Sequence, residues 1–284
     1  MLTDGWSNAT EEWFEGAGGA RLFCRHARPA TAPRAVLISL HGLGDHSGLY
    51  PMVPDAVVPL GIELFAPDLR GNGRSPGQRG YLERWSDVRE DLRRLVVWVR
   101  AERPSVPLFL LGNSLGGLVV LEYALHYPTG IWGVVAVAPP LGPLGVPGPL
   151  LVLGRILSRV WPRFSLDTGM DLSGLARNPD VAERVLRDPL FHRKGTARLS
   201  TEVTAAIERV QTGAPAFPVP VLVLHGGADR MVPPEGSRRF VDGGGQPDRR
   251  LIEYPDGYHA LLADVEGGRV LGDIVEWVLA RAAM

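Results

Sequence analysis

Pro107-Leu108-Phe109-Leu110-Leu111-Gly112-Asn113-Ser114-Leu115-Gly116-Gly117-Leu118-Val119-Val120 decides the fold. An apolar run with no polar alternation reads as a strand buried on both faces. It breaks at Gly112, and the apolar positions that follow have helical spacing through Leu115–His126. Gly112–Gly116 satisfies G-x-S-x-G in a strand–turn–helix setting, where a sharp turn lifts a serine hydroxyl above the sheet. The flanking glycines are needed because side chains there would collide with the strand or the helix.

Similar apolar runs lie at Ala35–Leu40, Glu63–Ala66, Trp132–Ala138 and Val219–Leu224, with helical patterns at Trp85–Glu102 and Val265–Ala282. Strands alternating with helices predict an α/β protein with a mostly parallel central sheet flanked by helices. Trp13–Glu15 and Arg21–Arg25 around Gly16–Gly19 predict an antiparallel hairpin at its edge. The alternation stops between Leu141 and Gly213, which contains no clear buried strand. The expected organisation is a core over 1–140, a mainly helical insertion over 141–213 and the rest of the core over 214–284.

Composition narrows the function classes. The chain has 284 residues, 45% apolar and 21% charged, enough to bury a large core without staples. Its single cysteine, Cys24, cannot form an internal disulfide, and a formal charge of -1 leaves no footprint for nucleic acid. Residues 1–34 carry several acids and no apolar core behind a basic start, so no secretory leader is expected. The uncharged run Ile131–Gly154 contains Pro139, Pro140, Pro143, Pro147 and Pro149, which argue against a membrane-crossing helix. A cytoplasmic protein, peripheral at the membrane surface where its insertion touches lipid, is the expectation.

Serine is a weak nucleophile and needs a base with a carboxylate behind it. Asp229 follows the Val219–Leu224 strand, and His259 follows a further short strand at Leu251–Tyr254. The order Ser114, Asp229, His259 is that of a nucleophile-elbow hydrolase, with all three beyond C-terminal strand ends. Asp256 is a rival for the acid, and His225 reads as a strand residue bonded locally. Asp264 reads as a solvated residue or helix cap, and His26, His126 and His192 as surface or structural. No cluster has metal-ligand spacing, and the chemistry requires no cofactor. The backbone N–H groups of Leu115 and of Leu43, in His41-Gly42-Leu43-Gly44, are the candidate donors to a developing oxyanion; His41 reads as shaping that loop. Asp68–Ser75 lacks a phosphate-loop pattern and reads as a turn pinned by local Asp–Arg contacts, with Ser75 a poor second nucleophile.

Together, His41–Tyr50, Asp68–Ser75, the triad candidates and Val232-Pro233 resemble the monoglyceride lipase and lysophospholipase branch of the α/β-hydrolases, over nearly the whole chain from Trp13. The resemblance implies an α/β-hydrolase fold with Ser114, Asp229 and His259 as triad, the Leu43 and Leu115 amides as oxyanion hole, and the insertion as a mobile cap over an acyl tunnel. It also implies a small amphiphilic ester as substrate. Asn113, Leu115 and Leu49 replace the histidine, methionine and arginine common in that branch. A general carboxylesterase or lysophospholipase would use the same triad, and a ligand-binding protein without activity is the alternative of another class. Ser114 argues against the aspartate-nucleophile enzymes of this fold. Leu150–Trp161 is apolar at helical spacing, with Arg155, Arg159 and Arg163 on another face. A transient lipid-surface contact through this helix competes with the favoured reading, an amphipathic helix packed on the core with solvated arginines.

Overall fold

The computed structural model describes residues 5–143, 148–169, 171–245 and 247–283; Pro147 of the proline-broken run lies outside them. A hairpin, β1 (Thr10–Glu15) and β2 (Arg21–Ala27), leads into β3 (Ala35–Leu40), α1 (Met52–Val57), β4 (Ile62–Pro67), α2 (Trp85–Glu102), β5 (Leu108–Asn113), α3 (Leu115–His126) and β6 (Gly133–Val137). Next come α4 (Gly148–Val160), β7 (Ser165–Asp167), α5 (Pro179–Arg187), β8 (Lys194–Thr196) and α6 (Ala197–Gly213). The chain closes with β9 (Val221–Gly226), α7 (Glu235–Asp242), β10 (Arg249–Tyr254) and α8 (Gly267–Ala282).

Eight strands form one sheet in the order β1-β2-β4-β3-β5-β6-β9-β10. It is parallel from β4 to β10; only β1–β2 and β2–β4 are antiparallel. Alternating strand residues enter two separate cores. Val36, Ile38, Leu110, Val134 and Val223 pack against α2, α3 and α6, whereas Leu37, Phe109, Leu111, Val135 and Leu224 pack toward α1 and α8. This division is why the strands read as unbroken apolar runs.

Register sets the working edge of the sheet. Leu40 stands beside Gly112, Asn113 beside Val137, and Gly226 beside Tyr254. The loops after β3, β5, β9 and β10 therefore emerge side by side.

Between β6 and β9 the chain departs from the sheet, and β7 pairs with β8 antiparallel, a short ribbon that the apolar pattern did not foreshadow. α6 buries Leu199, Val203, Ala206, Ile207 and Val210 in the same core as α2 and α3. α4 lies against α6 with Ser158 buried and its hydroxyl 2.9 Å from that of Thr201. Leu150, Val152, Leu153, Ile156 and Val160 are exposed. α4 thus packs on α6, with Leu157 half-buried beside Ser158, but those five apolar residues face solvent rather than the core. Arg155 and Arg159 are exposed as expected.

Candidate active site

Ser114 sits between β5 and α3 at φ 51, ψ -118, one of two non-glycine residues with positive φ among those described. Two interactions hold this strained backbone: the Ser114 N–H donates to the Val137 carbonyl at 2.8 Å, and Leu118 N–H returns to the Ser114 carbonyl at 3.2 Å. The glycines around it have no room for a side chain. A Cβ on Gly112 would lie 2.2 Å from the Gly116 oxygen, and one on Gly116 would lie 2.4 Å from the Leu40 oxygen.

The hydroxyl of Ser114 points at His259 Nε2, 3.0 Å away, and His259 Nδ1 donates to Asp229 Oδ2 at 2.7 Å. Asp229 and His259 are buried. Oδ1 of Asp229 accepts the N–H groups of Met231 and Val232, each at 2.9 Å. Burial on its own would raise this carboxyl, but hydrogen bonds from His225, His259 and the Val232 N–H outweigh it and hold the group well below the ordinary carboxylate range. The acid thus stays ionised and fixes the proton of His259 on Nδ1, leaving Nε2 free to accept from serine. The loops carrying acid and base touch directly: Ala228 N–H donates to the Gly257 carbonyl at 3.1 Å.

Leu43 and Leu115 both border the cavity beside Ser114. Leu115 is the first residue of α3, so no earlier turn offers its N–H a carbonyl. Among the described residues neither amide donates to a backbone carbonyl. His41 holds the loop after β3: its Nε2 accepts the Leu69 N–H at 2.9 Å and its Nδ1 donates to the Gly42 carbonyl at 2.7 Å. Burial pulls its pKa down, keeping the ring neutral.

Several sequence expectations change here. Asp256 is exposed and stands apart from His259, leaving Asp229 as the acid in contact with it. Asp264 is buried, accepts the Arg177 and Asn178 N–H groups and pairs with the Arg177 guanidinium at 3.3 Å, so it is neither solvated nor the cap of α8. The Asp68–Ser75 turn is pinned by Asp68 accepting the backbone N–H of Arg74 and of Ser47. The Arg70 side chain reaches instead to Asp91 on α2. Ser75 bridges the Asp68 carbonyl and the Phe23 N–H and is occupied on both sides. His26 is structural, 2.7 Å from the buried Glu63.

Sequence reasoning missed a polar group at the cavity wall. Asn113 donates to the Tyr50 hydroxyl at 2.9 Å, and that hydroxyl donates to Asp45 at 2.5 Å. Burial raises Asp45, with the Tyr50 bond only partly offsetting it. It also missed the seating of the β6–β9 excursion on the loop after β3, where His192 N–H donates to the Gly44 carbonyl at 3.1 Å. No three-ligand cluster of His, Cys, Asp or Glu exists among the described residues.

All of this opens into a cavity of about 760 Å3. Leu172, Leu175, Val181, Val203, Met231 and Leu262 give it a mainly apolar wall. That volume suits one small-molecule ligand.

Residues 31–266 match the hydrolase family described as serine aminopeptidase, S33. The chain belongs to this family. Among these hydrolases it is 32% identical to a monoacylglycerol lipase of Mycolicibacterium smegmatis over 96% of this chain and 98% of that one. It is 31% identical to the monoglyceride lipase of Homo sapiens over 94% of this chain and 89% of that one. A crystal structure of Paleococcus ferrophilus monoacylglycerol lipase superposes with a TM-score of 0.84 at 34% identity, covering 92% of this chain and 99% of that one. The fold is that of the α/β-hydrolases.

Proposed function

We propose that this protein is a carboxylic ester hydrolase cleaving monoacylglycerols or similar single-chain lipid esters through an acyl-enzyme. The observation that carries this is the continuous chain Ser114–His259–Asp229, with Ser114 and His259 on the wall of one large, mainly apolar cavity. His259 Nε2 takes the Ser114 proton as Oγ attacks the ester carbonyl carbon, and Asp229 stabilises the imidazolium formed. The carbonyl electron pair moves onto oxygen, which the Leu43 and Leu115 N–H groups receive; one such donor is worth about 3–4 kcal/mol of barrier. As the tetrahedral intermediate collapses, the ester C–O bond breaks and His259 returns its proton to the departing alcohol. Water, deprotonated by His259, then attacks the acyl carbonyl carbon; the bond to Ser114 Oγ breaks, His259 returns the proton to Oγ, and the fatty acid leaves.

In this reading residues 141–213 form a cap whose inner side, with Leu172, Val181 and Val203, holds the acyl chain. The outer side of the cap meets lipid. Leu150, Val152, Leu153, Ile156, Val160 and Trp161 are exposed in one short stretch, with Arg155, Arg159 and Arg163 among them to meet anionic headgroups. Gly154 and Leu166 border the cavity, so this surface lies next to the route of a lipid leaving a bilayer. Among the described residues no helix is long and apolar enough to cross a membrane.

The test is fatty-acid release from monooleoylglycerol, trioleoylglycerol and a lysophosphatidylcholine by wild type and Ser114→Ala. Ser114-dependent release from monooleoylglycerol but not from trioleoylglycerol is expected, and release from the lysophosphatidylcholine as well would extend the substrate to other single-chain esters. Hydrolysis confined to p-nitrophenyl butyrate would reduce the reading to a small-ester carboxylesterase, and activity surviving in Ser114→Ala would remove the nucleophile. Sedimentation with phosphatidylglycerol vesicles, lost in Leu153→Asp/Ile156→Asp, checks the lipid contact; a variant that still sediments like wild type refutes it.

A further inference from the structure

His225 lies in β9 with no exposed surface, one strand residue before the glycine that starts the acid loop. The reaction proposed above gives it no role. Its Nε2 is 2.8 Å from the Val232 carbonyl and 3.5 Å from Asp229 Oδ2, the same oxygen that receives His259. Its Nδ1 is 2.8 Å from the Ser237 hydroxyl, itself fully buried on α7. A carbonyl only accepts, so the proton must sit on Nε2; the hydroxyl can donate, so Nδ1 receives it. Both ring nitrogens are satisfied by a neutral ring of one tautomer, assigned from these partners.

We propose that His225 is a positioning residue for Asp229, with Ser237 fixing its tautomer. This rests on the triad reading above. The geometry gives His225 two holds on the acid. Its Nε2 stands 3.5 Å from Asp229 Oδ2, the oxygen that also accepts from His259 Nδ1. It also grips the Val232 carbonyl, while the N–H of that same residue bonds Asp229 Oδ1. Val232 is therefore tied at both ends of its peptide framework, and the turn Asp229–Val232 cannot rotate without breaking one bond or the other. In the orientation held by these bonds, Oδ2 lies 2.7 Å from His259 Nδ1, and the Ser237–His225 pair favours that orientation. A leucine of comparable bulk would fill the space and supply neither bond. The charged and titratable groups around His225 are Asp229, its partner His259, and Glu253, which stands beside it on β10.

The experiment compares wild type, His225→Leu, His225→Gln and Ser237→Ala in the full chain. The readouts are kcat and KM on p-nitrophenyl butyrate, the rate of Ser114 phosphonylation by a fluorophosphonate, and the far-downfield proton NMR signal of His259 Nδ1–H. His225→Leu is expected to lower kcat and the phosphonylation rate by about tenfold or more, with KM within about twofold, because the fault is orientation rather than binding. Its downfield signal should move upfield or broaden. His225→Gln keeps an N–H donor for Val232 and should recover most of the loss, while Ser237→Ala should fall between. A folded His225→Leu with wild-type kcat, labelling rate and NMR signal overturns the proposal and leaves His225 as packing. Should His225→Leu fail to fold, Ser237→Ala decides: an unchanged signal and kcat overturn it, a shifted signal with reduced kcat supports it. Failure of the underlying triad reading looks different, since wild type itself would then not be labelled at Ser114.

Discussion

Substituting Gly116 by alanine tests how the elbow and the oxyanion loop depend on one another. A Cβ there would lie 2.4 Å from the Leu40 carbonyl oxygen and 2.6 Å from that of His41. Ordinary contact begins near 3.4 Å, so elbow and β3 must separate by about 1 Å. Both obstacles are backbone, and neither can swing aside as a side chain would. Leu40 and His41 lead directly into the loop bearing Leu43, while Gly116 follows Leu115, so the movement pulls the two N–H donors apart. Overpacking of this kind costs about 1–3 kcal/mol of stability. A misplacement of about 1 Å in a reacting site costs roughly a hundredfold in rate, or about 2.7 kcal/mol of barrier. Gly116→Ala should therefore melt several degrees lower and lose about a hundredfold in kcat/KM on p-nitrophenyl butyrate, with phosphonylation slowed in parallel. A variant that keeps kcat/KM within threefold of wild type would refute the argument that elbow and loop are sterically locked.

Three further outcomes are expected. Asp229→Asn should fold normally yet lose about four orders of magnitude in kcat, because an amide no longer fixes the His259 tautomer; a loss below tenfold would place the acid elsewhere. Burial, helped by Arg79, pulls His192 down to about 4 from an ordinary 6.5, so the unfolded chain binds the extra proton between those values. Its contribution to stability is complete above about pH 6.5 and is lost as the pH falls toward 4. The melting temperature should thus drop less between pH 7 and pH 5 in His192→Gln than in wild type, and equal drops would contradict this. Glu122 is fully buried on α3 and hydrogen-bonded by Arg89 at 2.8 Å and Arg209 at 3.0 Å. Glu122→Ala leaves two guanidinium groups short of a partner and should lower the unfolding free energy by about 3 kcal/mol in urea titrations; no change in midpoint would argue against it.

The legible parts of the molecule are those decided locally. Gly112 and Gly116 announce the elbow because the turn itself excludes side chains. The parallel strands announce themselves because both faces are covered, as Leu37 and Ile38 show by entering different cores. Asp229 and His259 could be picked out because their loops follow recognisable strands. What stayed hidden depends on segments distant in the chain. Asp264 looks like a surface acid until Arg177, 87 residues away, docks on it. The Ser237 hydroxyl gains meaning only when α7 folds over β9, and the Asn113–Tyr50–Asp45 group only when two strand-end loops meet. The short helices α1 and α7 carry too few turns for a period to stand out. Apolar periodicity in α4 marked a face correctly, but nothing in the period says whether protein or solvent lies opposite.

α6 has two allegiances. Its buried face belongs to the core it shares with α2 and α3, while Leu199, Ser200 and Val203 border the cavity. It is also the helix through which the chain returns to β9, so it cannot be displaced without tearing a layer from the sheet. The cavity accordingly has one jaw that is fixed. Any widening to admit a bulkier ester must come from the stretch before Ala197, whose footing on the rest of the protein includes the His192–Gly44 bond. Engineering of substrate size is best aimed at the stretch before Ala197, because enlarging the α6 side would cost stability in the core that α6 shares with α2 and α3.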